Sequence, residues 1–233
     1  PPDLSLLYGG SKDTGTLGGT VATNLSGPRR IQSGAARDYC LGFVAIRGRG
    51  EEFKSGGRVV KNVTGFDLSK LLSGSFGTLA AMVSVTIKVL PSPEKTRTAL
   101  VFGLDDKMGI QALSETLQSP FEVNAAAHLP AGIAKNSSIA RINTQGQSVT
   151  AVRLQGPAIS VEKRCQGVKA LWQCYEGFEE LHSHNSDGLW NEIRDIGSLL
   201  NNQLDQIWRI SVPPSEGADL VAKIRSDIQC KTF

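Results

Sequence analysis

The sequence predicts an α+β protein built from two parts, and three observations support this fold class. Glycine is concentrated in the first part, since most of the 25 glycines lie before residue 78. An alternating segment then predicts a strand with one buried face, formed by Val83, Val85, Ile87 and Val89. Prolines at 91 and 93 end this strand, and short strands then alternate with helices. We therefore expect one domain at residues 1–92 and a second at residues 93–233.

The second domain reads as strand, helix, strand, strand, helix, strand, helix. Strands are predicted at 98–104, 121–129, 150–156 and 207–213, and helices at 105–118, 159–175, 178–200 and 215–229. This order resembles a ferredoxin-like sheet with helices on one face. Because a helix precedes Phe233, we expect the sheet to be incomplete and to need one further strand.

Composition and charge exclude several classes of protein. The mean hydropathy is −0.13, and no apolar run approaches the roughly 20 residues of a membrane span. The net charge of +3 is too balanced for a nucleic-acid-binding protein. The four cysteines have no CxxC spacing, so we expect reduced thiols. His182 and His184 lack a third ligand at a recognised spacing, so no metal site is expected.

Two segments combine glycine with threonine, as a phosphate-binding surface requires. In "TLGGTVATNLSGPRR", residues 16–30, the small residues leave backbone N–H groups and hydroxyls exposed as donors. Alternatively, these glycines serve only tight turns between strands. The second segment, Gly74–Thr78, follows a short helix for which Asp67 is the expected N-cap and Gly74 the left-handed C-cap.

Together with "SGAARDYCLG" and "KNVTGFDLSKLLSGSFGTLAAMVSVTIKVLP", these segments resemble the vanillyl-alcohol-oxidase / p-cresol-methylhydroxylase family of FAD-binding domains. The "GPRR" and "KNVTGFDL" variants most resemble the FAD-binding E subunits of bacterial glycolate oxidases. The resemblance covers about residues 1 to 92. It implies that these residues are the second lobe of an FAD-binding domain and that residues 93–233 are a partial ferredoxin-like cap.

The resemblance also implies the cofactor-binding residues. The segment that cradles the FAD pyrophosphate and ribityl chain corresponds to Thr16, Gly18, Gly19, Thr20, Ala22 and Thr23. The segment that contacts the adenine end and the dinucleotide backbone corresponds to Gly77, Thr78, Leu79 and Met82. Phe76 stands where the family has glutamate and Ala80 where it has glycine, so Phe76 offers no carboxylate. No catalytic residue is assigned.

Two pairs of charged residues are each open to more than one interpretation. Arg29 and Arg30 either face the flavin or its phosphates, dock a partner subunit, or are solvated. For Arg37 and Asp38, adjacent in sequence, a structural ion pair elsewhere or plain solvation is favoured over catalysis.

By resemblance, the chain belongs to a subunit that oxidises glycolate, or a similar 2-hydroxy acid such as D-lactate, to the 2-oxo acid. The implied partners are a second flavin subunit and an iron–sulfur subunit, in the cytoplasm or peripheral to the inner membrane through those subunits. The alternative is a structural or electron-relay flavin subunit that does not contact substrate.

The implied first lobe of the FAD domain has no counterpart before Thr16, because a βαβ unit alone takes about 30 residues. We therefore expect the 233-residue chain to be inactive alone, to bind FAD weakly or not at all, and to self-associate through the face left exposed.

Overall fold

The computed structural model describes residues 15–60, 65–199 and 207–228. The chain divides into two compact units, residues 1–92 and 93–233. All strand pairs in both units are antiparallel, which confirms the α+β class. Within the described residues, none of the helices has the length and apolar character needed to cross a membrane.

The first unit consists of short helices around a three-stranded sheet. Its elements are α1 (Leu17–Thr23), α2 (Arg30–Ser33), a 3-10 turn (Ala36–Asp38), β1 (Cys40–Ile46), β2 (Glu52–Gly56), α3 (Leu68–Leu72) and β3 (Ala81–Ile87). The strand order is β2-β1-β3, so β1 is central. Helix α3 begins as expected, because the Asp67 side chain accepts a hydrogen bond from Lys70 N. Its C-cap is Ser73 and not the predicted Gly74, although Gly74 directly after it has the expected left-handed φ of 87°.

Strand β3 lies in the sheet as predicted, but only half of its predicted buried face is right, because Val85 and Ile87 are partly buried whereas Val83 and Val89 are exposed. Phe43 and Ala45 of β1 pair with Val85 and Met82, which leaves Val83 as an extra residue in a β-bulge. The bulge reverses the alternation, so Met82 and Val85 pack on the core while Val83 is 62% exposed. Val89, beyond the strand, is also exposed. A bulge depends on pairing with a distant strand, so the local alternation could not reveal it.

The second unit has a four-stranded sheet covered on both faces. Its elements are β4 (Lys95–Phe102), α4 (Asp106–Leu117), β5 (Ala125–Leu129), α5 (Ala131–Ala134), α6 (Ala140–Asn143), β6 (Val149–Gly156), α7 (Ala158–Leu171), β7 (Glu179–His182), α8 (Ser183–Asp195) and α9 (Pro214–Asp227). The strand order is β5-β6-β4-β7, that of a ferredoxin-like sheet. Helix α4 begins where predicted, with the Asp105 side chain accepting from Met108 N at 2.7 Å.

Several expectations for this unit are wrong. Residues 207–213 form no strand, and the fourth strand is β7, inside the predicted helix 178–200. The sheet expected to lack a strand therefore has all four among the described residues. The predicted single helical face is also wrong, because one apolar core lies under α4 and α7 and another under α5, α6 and α8.

A buried histidine links the sheet to α4. His128 on β5 lies 2.8 Å from the Thr150 hydroxyl through Nδ1 and 3.2 Å from Asp106 Oδ1 through Nε2. Asp106 also accepts a hydrogen bond from Arg225 of α9 at 2.8 Å. Burial lowers the pKa of His128 below its ordinary value of 6.5, although Asp106 acts in the opposite direction.

We predict that acidification destabilises the second unit through His128. Because its folded pKa is lowered, the stabilisation is complete above about pH 6.5 and is lost as the pH falls from there through the folded pKa. Urea unfolding between about pH 7 and 5 measures this slope. His128→Gln should flatten it, and an unchanged slope in the variant would contradict the prediction.

Candidate functional site

The first predicted segment is the helix α1, not a glycine loop. Thr16 is its N-cap, and the Thr16 hydroxyl oxygen accepts a hydrogen bond from Gly19 N at 2.9 Å. Neither Gly18 nor Gly19 has a positive φ, so backbone freedom is not their role. A Cβ on Gly18 would lie 3.9 Å from Met82 O, and one on Gly19 would lie 3.1 Å from Thr16 Oγ1. Because these glycines have no side chains, the backbone N–H groups at the start of the helix are not covered.

The threonine hydroxyls of α1 were predicted to be exposed donors, but they are not. Thr20 Oγ1 donates to Thr16 O at 3.2 Å, and Thr23 Oγ1 donates to Gly19 O at 2.7 Å. Their protons are therefore engaged within the helix, and these hydroxyls present only acceptor lone pairs outward. The donors left at the start of α1 are the N–H groups of Leu17 and Gly18, which have no acceptor among the described residues.

The second predicted segment is a tight loop between α3 and β3. Gly74, Phe76 and Gly77 all have positive φ values, of 87°, 55° and 76°. Thr78 closes the loop, since its N–H and its hydroxyl both donate to Ser75 O, at 3.0 and 2.6 Å. The backbone of the loop is therefore fixed by its own hydrogen bonds.

The structure joins the two predicted segments directly. Gly74 N donates to Val21 O at 3.2 Å, and Phe76 N donates to Ala22 O at 2.9 Å. The end of α1 is thus hydrogen-bonded to the loop, while the start of α1 lies beside β3 at Met82. We call this joined surface the cradle, defined as residues 16–23 and 74–82. It contains all the predicted cofactor-binding residues, Thr16, Gly18, Gly19, Thr20, Ala22, Thr23, Gly77, Thr78, Leu79 and Met82.

The sequence reasoning missed two polar residues that support the cradle. Asn24 ends α1 in a left-handed conformation, and its Oδ1 accepts from Arg37 N at 3.0 Å. The Ser26 hydroxyl accepts from Ala36 N at 3.2 Å. An asparagine directly after a helical segment is a C-cap signal that could have revealed the helix.

One polar atom of the cradle is buried without a partner. The Ser75 hydroxyl oxygen has no hydrogen bond among the described residues. Leaving such a group unsatisfied costs about 1–3 kcal/mol, so its presence on the loop needs an explanation.

The first unit is electropositive, because residues 1–92 contain 11 Lys and Arg against 6 Asp and Glu. Arg29 and Arg30 are exposed, and their side chains form no ion pair with a described residue. All three interpretations of this pair remain compatible with the structure. Asp38 has a structural role, since its carboxylate accepts from Ala35 N at 2.8 Å.

Leu79 of the cradle also lines a groove of about 450 Å³. The groove lies between α3 and the turn from β1 to β2, and Arg47 and Phe53 form part of its wall. The Arg47 guanidinium stacks 4.7 Å from the Phe53 ring centroid and lies 4.0 Å from the Glu51 carboxylate, so its charge is partly neutralised within the groove.

The described residues contain no candidate metal centre, including around His182 and His184. The Cys40 thiol is buried, and burial raises its pKa above its ordinary value, so it is neutral at physiological pH. The described cradle therefore offers backbone N–H and hydroxyl groups, which suit anion binding, and the arginines of the first unit lie outside it.

No family model matches the chain, but curated proteins and solved structures do. The glycolate oxidase subunit GlcE of Escherichia coli (strain K12) is 50% identical over 78 residues, which is 34% of this chain and 22% of that protein. The subunit GlcD of Bacillus subtilis (strain 168) is 28% identical over 76% of this chain and 37% of its own length. A D-lactate dehydrogenase of Archaeoglobus fulgidus is 40% identical over 34% of this chain and 18% of its own length. The chain thus spans between about a fifth and just over a third of the relatives it matches.

A solved structure of alkyldihydroxyacetonephosphate synthase shares the fold with a TM-score of 0.56 at 17% identity, over 78% of this chain and 37% of that protein. Together with the sequence relatives, this likeness confirms the fold class and the homology predicted from the motifs. The homologues of this chain are glycolate oxidase subunits, D-lactate dehydrogenases and other FAD-linked oxidoreductases.

Proposed function

We propose that this chain is the FAD-binding part of an oxidoreductase subunit that oxidises glycolate, or a similar 2-hydroxy acid such as D-lactate, to the 2-oxo acid. The observation that carries the proposal is the pair of backbone hydrogen bonds from Gly74 and Phe76 to α1. They join two separately recognised segments into one surface, which is the arrangement that a single extended ligand needs.

The donors of the cradle fit the phosphates of a dinucleotide. The N–H groups of Leu17 and Gly18 lack acceptors among the described residues, and no side chain on Gly18 or Gly19 covers them. The Ser75 hydroxyl adds a buried group that needs a partner. The positive charge of the first unit favours an anion. When bound, FAD supplies the two-electron redox chemistry, and the cradle residues hold and orient it.

The proposal includes the assembly and its location. The names of GlcE and GlcD describe subunits, so we propose that this chain works with a second flavin subunit and an iron–sulfur subunit. We place this complex in the cytoplasm or at the inner membrane surface.

A second candidate is a flavin subunit that does not contact substrate. Residues 1–92 contain no histidine, and the Cys40 thiol is buried and neutral. The first unit therefore lacks the side chains most often used to accept the proton of a hydroxy acid.

Two measurements test the proposal. Titration of the 233-residue chain with FAD should show weak binding or none, and absence of flavin from the complex purified through this chain would contradict the proposal. Affinity purification through a tag on this chain should recover the partner subunits. Anaerobic addition of glycolate, D-lactate or D-2-hydroxyglutarate to that complex should then bleach the visible flavin absorbance. Bound FAD that none of these acids reduces would favour the second candidate.

A further inference from the structure

Phe76 has a left-handed backbone and an exposed side chain on an open loop. Its φ of 55° is left-handed, a region that costs a residue with a side chain about 1–2 kcal/mol. Its ring is 73% exposed, so no packing within the described residues offsets that cost. The tip of the loop beside it is open, because a Cβ on Gly77 would meet nothing within 4 Å. Glycine or asparagine would fit this backbone better.

The backbone that carries the ring is nevertheless held in place by hydrogen bonds. Phe76 N donates to Ala22 O, and Thr78 closes the loop onto Ser75 O on the other side. A ring on a rigid loop loses little further backbone freedom when a ligand binds, so its contact favours binding more than a mobile ring would.

We propose that Phe76 stacks on a planar heteroaromatic ring of the dinucleotide bound in the cradle. The inference rests on the proposed function and adds a binding residue at a position where the resembled family has glutamate. The adjacent Ser75 hydroxyl is buried and has no hydrogen-bond partner within the described part of the chain, so the same loop presents an exposed aromatic ring and an unsatisfied polar group. Nucleotide rings stack on aromatic side chains in this way. Adenine and isoalloxazine share this chemistry.

The test uses NMR titrations of the 233-residue chain with FAD, ADP and FMN, since these report weak binding. Phe76→Asn removes the ring but keeps a residue that tolerates the left-handed backbone, and Phe76→Tyr keeps the ring. We expect Phe76→Asn to weaken FAD binding about tenfold. We also expect it to raise the melting temperature, because the backbone strain is relieved. Phe76→Tyr should bind like the wild type. Phe66→Ala is the control, because Phe66 is 90% exposed in the same unit but outside the cradle.

The outcomes separate the two proposals. If Phe76→Asn weakens ADP but not FMN, the stacked ring is adenine, and the reverse result identifies isoalloxazine. Equal FAD affinity in the wild type and in Phe76→Asn would overturn the stacking inference while leaving the FAD proposal intact. If the chain alone binds no FAD, the same variants are compared by the flavin content of the complex purified through a tag on this chain, and absence of flavin from the wild-type complex would overturn both.

Discussion

Trp172→Ala should lower the free energy of unfolding of the second unit by about 3–5 kcal/mol. Trp172 is fully buried at the end of α7, in the core beneath α4 and α7. Its indole N–H donates to Thr116 Oγ1 at 2.8 Å, and its ring meets Phe178 edge-on with centroids 6.5 Å apart. The substitution leaves a cavity and removes a buried hydrogen bond, so both losses act in the same direction.

Trp208→Ala is the matched control for this variant. Trp208 is 82% exposed in residues 207–213, so its removal should change stability by less than about 0.5 kcal/mol. Urea unfolding followed by far-UV circular dichroism measures both variants without relying on tryptophan fluorescence. A loss below about 1 kcal/mol in Trp172→Ala would show that the core repacks around the cavity.

Gly19→Val should weaken FAD binding at least about a hundredfold. A Cβ at this position already lies 3.1 Å from Thr16 Oγ1, so the branched side chain would displace the N-cap and cover the start of α1. Two hydrogen bonds to a charged phosphate contribute about 1.5–3 kcal/mol each, and about 1.4 kcal/mol corresponds to a factor of ten. The affinity is measured by the same FAD titration as above.

The control for Gly19→Val is Gly132→Val. Gly132 also lies early in a short helix, α5 of the second unit, and a Cβ there meets nothing within 4 Å. It should leave FAD affinity unchanged. Wild-type affinity in Gly19→Val would mean that the phosphates do not lie at the start of α1.

The sequence predicted those structural features that depend on residues close together in the chain. Asp67 caps α3 as expected, and Asp105 caps α4 where that helix was predicted to begin, because each carboxylate bonds an N–H only three residues away. The bulge at Val83 and the strand β7 escaped prediction because both depend on distant partners. In β7, Glu180 forms an ion pair with Arg97 of β4 at 3.2 Å, a contact that no local pattern contains. Residues 207–213 have the stronger alternation, yet they pair with no described strand.

Part of the candidate site could also be predicted from the sequence, and part could not. The motifs identified which residues form the cradle, and the structure places them on one continuous surface. The conformation of α1 was predicted wrongly, because paired glycines suggest a loop while the cap at Thr16 and the left-handed Asn24 define a helix. The unpartnered Ser75 hydroxyl could not be foreseen, since burial of a loop atom depends on the packing of several segments.

The junction between the loop and α1 has a consequence for sequence variation. Both of its hydrogen bonds run from backbone N–H groups to backbone carbonyls, so no side chain at 74 or 76 contributes to them. Substitutions there are limited by conformation and not by chemistry, since any residue that tolerates a positive φ keeps the junction, whereas proline has no N–H to donate. The fold therefore leaves the identity of residue 76 free to be set by the ligand, and phenylalanine can replace a polar residue there without loss of the junction.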